Sequence, residues 1–333
     1  MTAAREDAGA GDGWVGAHLF HFGDLDPLIT GVVDAVAREL AANGTARRAF
    51  FLRYWEGGQH VRLRLEVPDP ERRPRVRDLV RERAAAHFAA HPSPSVDAAA
   101  YRAFAAAMAK GERRTRYDER LHPAGSVAFI GYRPEYEAYG DAACVAAAER
   151  HFAMSSRLAL DVLRAGTEMG RRAAIGLAAL TIAAAVCEPD LPAAAHRLAA
   201  AARETPGPGA APESEEDWRR RESALLAQTR RLWDRPESGG GLLAAWASSV
   251  RALRDDLDAL HSAGRCAPLD PGSPHAFFAL AAPPERRTVS LILMRCAHLL
   301  HNRLGLRAGT EQHMSFLAGR AIAGLADTRR WSP

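Results

Sequence analysis

Apolar and polar positions alternate most strictly over residues 49–67, AFFLRYWEGGQHVRLRLEV, where two runs flank Glu56-Gly57-Gly58. A Gly-Gly pair between alternating runs predicts a β-hairpin, because glycine reaches the positive φ values that a tight turn demands. On the second strand Val61, Leu63, Leu65 and Val67 share one face, and His60, Arg62, Arg64 and Glu66 share the other. On the first strand Phe51, Arg53 and Trp55 lie together, and Arg53 is expected beside the other arginines. A charged strand face is either solvated or shaped to hold something polar or anionic, and for a strand taken alone solvation is the commoner case.

The same patterns continue on both sides. Trp14–Phe22 alternates and reads as a strand. Asp26-Pro27 supplies an N-cap and a proline at the first helical position, and Leu28–Ala42 has helical periodicity that ends at Asn43-Gly44. Pro68-Asp69-Pro70 stops the hairpin and Glu71–His91 is helical, so the start reads β-α-β-β-α, a ferredoxin-like layer. Val96–Met108 predicts a further helix, and Ser126–Tyr132 a strand that Arg133-Pro134-Glu135 turns out of. From Asp141 onward the pattern is helical, through 142–165, 171–186, 193–203, 218–233, 242–263, 287–304 and 310–326, with a proline-rich irregular stretch at 264–284. The fold class is therefore α+β: helix-rich, with an antiparallel sheet and a largely α-helical second half. Residues 1–13 are expected to be a disordered tail, 14–333 a single domain, and the Pro-, Gly- and acid-rich stretch 205–217 a mobile loop.

Composition narrows the partners. The chain carries a net charge of +4 and a pI near 9.1, almost wholly from arginine, since Lys110 is its only lysine. That charge is mild, and no aromatic-interleaved basic stripe or zinc-finger spacing accompanies it, so nucleic acid is not the expected partner. An acidic peptide, or a phosphorylated or carboxylated substrate, suits it better. Cys144, Cys187, Cys266 and Cys296 are widely spaced and read as reduced, buried thiols of a cytoplasmic protein. No signal peptide is visible, and the apolar run 173–186 is shorter than a membrane span. Neither a G-x-S-x-G elbow nor an H-E-x-x-H pair occurs, and Gly239-Gly240-Gly241 lacks the lysine of a phosphate loop. His298 and His301 lie three apart with His313 beyond, but no carboxylate or cysteine beside them completes a ligand set, so no metal is expected. On residue type alone, His298 reads as a core histidine bonded to a carbonyl.

Three segments together resemble one family. FFLRYWEGGQHVRLRL looks like the signature F-h-R-Y-x-x-x-x-x-H-h-R-h-R of the C-terminal domain of class I lanthipeptide dehydratases, a domain also found free-standing in thiopeptide biosynthesis. GYRPEYEAYGD, residues 131–141, is similar to that family's Y-x-P-E-x-x-R-Y-G-G. SLILMRCAHLLHNRLG, residues 290–305, resembles its closing S-L-h-H-M-x-x-N-R-L-G helix; aligned on Asn302-Arg303-Leu304, His298 falls at the functional histidine. With the opening strand and the order of segments, the resemblance covers nearly the whole chain.

The resemblance implies an enzyme without cofactor or metal, a monomer or homodimer, acting on a ribosomally made precursor peptide with a leader. Two reactions occur in the family: elimination of glutamate from glutamylated serine or threonine, and formation of a pyridine from two dehydroalanines by formal [4+2] aza-cycloaddition with loss of water and leader. For elimination, the family's E-x-x-R arginine holds the glutamyl group; here that position is Ala138, and the second glycine is Asp141, so a carboxylate loses its bidentate partner. Pyridine formation needs proton donors and acceptors to turn an amide into its imidic acid. The resemblance assigns that proton to His298, with Tyr139, Tyr132 and Ser290 as hydrogen-bond partners. It places Arg53, His60, Arg62, Arg64, Tyr132, Glu135, His301 and Arg303 around the peptide. A non-catalytic leader-binding partner is a third possibility, of a different class.

Overall fold

The computed structural model describes residues 13–112, 114–204, 212–237 and 240–326. Contacts divide the chain into two compact units, residues 1–134 and 135–333. The first carries the sheet. Strand β1 (Trp14–Phe20) leads into a helix that starts at α1 (Asp26–Leu28), widens into π turns over Ile29–Val33 and continues as α2 (Asp34–Ala42). Strands β2 (Arg48–Tyr54) and β3 (His60–Glu66) form the hairpin; α3 (Arg73–Ala90), α4 (Ala98–Gly111) and β4 (Ser126–Phe129) follow. The strand order is β2-β3-β1-β4 and all pairs are antiparallel. Since β3 runs antiparallel to both neighbours, β1 and β2 are parallel with β3 inserted between them, which is the split β-α-β arrangement the sequence predicts.

Register sorts the two faces of this sheet. Val15, Ala17 and Leu19 of β1 pair with Leu65, Leu63 and Val61 of β3, and all six are buried on the face that α3 covers. Trp14, Gly16, His18 and Phe20 pair with Glu66, Arg64, Arg62 and His60 on the opposite face. Gly57 and Gly58 both take positive φ in the hairpin turn, as its sequence requires. Gly13 precedes β1, its carbonyl accepting from Val67 N–H at 2.6 Å, while residues 1–12 of the expected tail lie outside the described residues.

The second unit is helical. After the single turn α5 (Tyr136–Tyr139) come α6 (Ala142–Arg164), α7 (Met169–Cys187), α8 (Leu191–Glu204), α9 (Pro212–Asp234), α10 (Gly241–Ser262), the short α11 (Ala276–Ala279), α12 (Arg287–Leu304) and α13 (Ala308–Gly324). Asp141 caps α6, its Oδ1 accepting from Ala143 and Cys144 N–H at 2.9 and 3.1 Å. Two expectations change here. Of the stretch 205–217, residues 205–211 lie outside the described residues, but Pro212–Asp217 already forms the start of α9, where Glu213 and Glu215 favour the first turn. The apolar run around 173–186 extends into a 19-residue helix, long and apolar enough to cross a membrane, yet 72% of its apolar window is buried in the protein. It packs against α9, α10, α12 and α13, and being apolar on nearly every side it serves as their common core.

Gly16 has no room for a side chain: a Cβ there would lie 2.2 Å from Ile130 O and 3.1 Å from Arg64 Nη1. Gly16→Ala is expected to lose about 1–3 kcal/mol in urea unfolding, whereas Gly131→Ala, with nothing within 4 Å, should be near neutral.

Candidate functional site

In the helical unit the site grows from a helical hairpin. Gly305, in the left-handed conformation at φ 75°, ends α12 and lets the chain reverse into α13 within three residues. The reversal brings Glu311 of α13 against two histidines of α12. Its Oε1 lies 2.7 Å from His298 Nδ1 and 3.0 Å from His301 Nδ1. Burial alone would raise this carboxyl, but the hydrogen bonds and charges of His298 and His301 outweigh it and hold the group well below the usual carboxylate range. An ionised Glu311 can only accept, so both imidazoles present Nδ1–H to it. His301 is buried and its Nε2 faces the Gly176 carbonyl at 3.0 Å. His298 differs: its side chain is 36% exposed, and Nδ1 is the nitrogen anchored on Glu311.

Two further groups, His275 and Arg295, sit beside His298, and Tyr139 lies against Arg295. The His275 ring lies 4.6 Å from that of His298, and burial, with the neighbouring His298, pulls His275 down to about 3, so it is neutral at physiological pH. Arg295, one turn earlier on α12, donates from Nη1 to the Ala138 carbonyl at 2.7 Å and lies 5.6 Å from the Tyr139 ring centre. Tyr139 itself is only 2% exposed; burial pushes it well above its ordinary range, and its hydroxyl has no hydrogen-bond partner among the described residues. Gly140 pairs with Cys266, and a Cβ on that glycine would meet Arg265 O at 2.3 Å, so close backbone approach ties the motif turn to the 265–267 segment.

The residues expected from the sequence separate accordingly. His298 and His301 come together. Ser290 does not join them: it is buried beside Cys187, and eight helical residues put it ~12 Å along α12 from His298. Arg303 is fully buried, donating to Ser155 Oγ at 3.2 Å and lying 5.4 Å from the Phe152 ring, a strut between α12 and α6; burial lowers it to about 10. Glu135 is exposed and precedes α5, where its backbone carbonyl, not its carboxylate, accepts from Ala138 and Tyr139 N–H.

In the sheet unit the charged face is not solvated. His60 is fully buried; its Nδ1–H donates to Gly58 O at 2.8 Å and its Nε2 accepts from Arg62 Nε at 3.3 Å. Burial first, then the charges of Arg62 and Arg64, lower it to about 3. Arg64, also buried, donates to His18 Nε2 at 2.9 Å, and the His18 and His60 rings stack at 4.7 Å. Arg62 lies 3.3 Å over the Tyr54 ring and reaches Glu56, which Arg114 also holds. Tyr132 packs against Trp14 and Phe50 on this face. Arg53 is a correction. Paired with Val61, it lies on the opposite face, where Nη2 meets Asp26 Oδ1 at 2.6 Å, so it ties β2 to α1.

Glu311, His275, Arg295 and His18 were not singled out from the sequence. Glu311 is the carboxylate that His298 and His301 seemed to lack, and its signal was available: a charged residue one turn into the helix after a short reversal. Among the described residues, no group of three or more His, Cys, Asp or Glu side chains is arranged to hold a metal ion.

With fold and site in view, comparison with known proteins places the chain. The profile of the lantibiotic biosynthesis dehydratase C-terminal family matches residues 14–322, and the chain belongs to that family. Among solved structures it is similar to TbtD, the pyridine synthase from thiomuracin biosynthesis, with TM-score 0.69 and 20% identity, covering 95% of this chain and 99% of that one. TsrL matches with TM-score 0.62 and 17% identity, over 94% of this chain and 95% of its own. The tRNA-dependent lantibiotic dehydratase MibB from Microbispora sp. 107891 matches with TM-score 0.57 and 20% identity, over 99% of this chain but 29% of MibB. No curated protein sequence matches.

Glu311 also makes an acid-sensitive contact. Its contribution to stability is complete above the unfolded value of roughly 4.3 and is lost as pH falls toward its lower folded value. Glu311→Gln is expected to cost about 2 kcal/mol at pH 7. In chemical unfolding across pH, the gap between the two proteins should narrow below about pH 4.

Proposed function

We propose that this protein closes a pyridine ring in a ribosomally made peptide. The observation that carries the reading is the His298–Glu311 pair: an imidazole anchored at Nδ1, on a side chain that is partly exposed, is suited to carry a proton in a fixed orientation. Likeness to the thiomuracin pyridine synthase over nearly its whole length supports the substrate class.

In this reading His298 takes the N–H proton of a dehydroalanine amide and returns a proton to its oxygen, giving the imidic acid and thus a 2-azadiene. Two C–C bonds then form with a second dehydroalanine. The hydroxyl on the former carbonyl carbon leaves as water, and the leader leaves as a carboxamide, so the ring becomes aromatic without an oxidant. Glu311 holds His298 in one tautomer and stabilises its charged form while the proton is aboard. Holding two distant alkenes in register is the larger task, since well-oriented reactants gain about 10⁵–10⁸ M in effective concentration.

Tyr139 and Ser290 serve the site from the core: Tyr139 underlies Arg295, and Ser290 packs toward α7. On the sheet, Arg62 is half-exposed and is the strand residue placed to touch an acidic leader, while His60 and Arg64 support it from below. Arg303 and His301 position α12.

Incubated with an azole-containing precursor bearing two dehydroalanines, the protein is expected to yield a macrocycle and a separate leader carboxamide, both visible by mass spectrometry. His298→Ala should slow this by about 10²–10⁴-fold. Leader binding without conversion would overturn the reading.

A further inference from the structure

The family motif places an arginine where this chain has Ala138, yet the structure puts a guanidinium against that same position. Arg295 reaches across from α12 and donates to the Ala138 carbonyl at 2.7 Å. That contact uses one of five N–H donors. The group also faces the Tyr139 ring, and no carboxylate pairs with it among the described residues. Other partly buried arginines are matched differently: Arg48 meets Glu66 at 2.6 Å, Arg53 meets Asp26 at 2.6 Å, Arg114 meets Glu56 at 2.9 Å and Arg197 meets Glu188 at 2.6 Å. A half-buried cation without an acidic partner is costly unless something brings the negative charge to it.

Position supplies the rest of the argument. Arg295 and His298 are three residues apart and share a face of α12. His275, its ring tilted against that of His298 at 4.6 Å, is neutral and cannot serve as the counter-ion. Glu311, the carboxylate close by, already holds two histidines on one oxygen. Tyr139 lies beneath the guanidinium with its hydroxyl shut away, so the ring acts as a floor that fixes the fork.

We infer that Arg295 is an oxyanion-binding residue, supplied by α12 in place of the arginine missing at position 138, and that it holds a charged or polarised oxygen of the peptide substrate beside His298. The ligand chemistry is a planar oxygen anion. It has two possible sources: the amide oxygen that gains charge as the imidic acid forms, or the side-chain carboxylate of a glutamylated residue. The first rests on the function proposed above; the second would make the protein a glutamate eliminator.

Two measurements test this. The first needs no turnover: the full-length protein is titrated with sodium acetate at constant ionic strength, and the His298 ring signals are followed by NMR, assigned with His298→Gln. A saturable shift is expected in the wild type and not in Arg295→Gln, with Arg295→Lys intermediate and of unchanged melting temperature. No shift in the wild type, or the same shift in Arg295→Gln, overturns the inference. The second compares the wild type and Arg295→Gln on a dehydroalanine-bearing precursor and on a glutamylated one. On whichever substrate the wild type converts, kcat should fall about 10²-fold in the variant, and that substrate identifies the source of the oxygen. Equal kcat overturns the inference. If the wild type converts neither, the proposed function fails, and the acetate titration still decides the role of Arg295.

Discussion

One carboxylate oxygen holds one end of the helical unit together. Glu311 Oε1 accepts from both His298 and His301, and His301 continues the chain of contacts to the Gly176 carbonyl on α7. Three helices are thereby joined through a polar contact in an otherwise apolar interface. A buried carboxylate of this kind is stable only when its oxygens find partners, because an unpaired buried charge is costly. Gly176 makes that possible: a Cβ there would lie 3.0 Å from the His301 ring and 2.9 Å from Leu306, so only a bare backbone lets the imidazole reach its carbonyl.

Burial governs the state of the surrounding groups. His275 and His60 are each pulled to about 3, and Cys187, Cys266 and Cys296 are pushed to about 12, with burial the leading cause every time. His298 stands apart because it combines exposure with an ionised partner.

Much of the fold was legible because it is written in short-range patterns. Period-two alternation and the Gly-Gly turn specify β2 and β3, and periodicity with end signals specifies α12 almost to the residue. The limits were physical. The side of the sheet that Arg53 occupies depends on pairing with Val61, which alternation within β2 alone leaves open. Whether the His60–Arg64 face is wet or buried depends on what covers it, and no strand encodes its cover. Of the site, His298 and the 131–141 turn were visible as motifs. The Arg295 contact with Ala138 was not, since it joins residues far apart in sequence. Asp141, which departs from the motif's glycine, proves to be the N-cap of α6 and partner of Arg265 at 2.5 Å, a structural role that residue type alone does not reveal.

The two halves of the site also differ in how they assemble. Glu311 lies 13 residues from His298 and 10 from His301, within one helical hairpin, whereas Arg295 and Ala138 are 157 residues apart. Closing the short loop costs little chain entropy, while the long-range contact forms only once the intervening helices have docked. A partly loosened molecule would thus keep the His298–Glu311 pair while losing the Arg295–Ala138 contact. Under the function proposed above, proton exchange at a bound amide would then outlast ring closure, so loss of product would precede loss of acid–base competence on gentle denaturation.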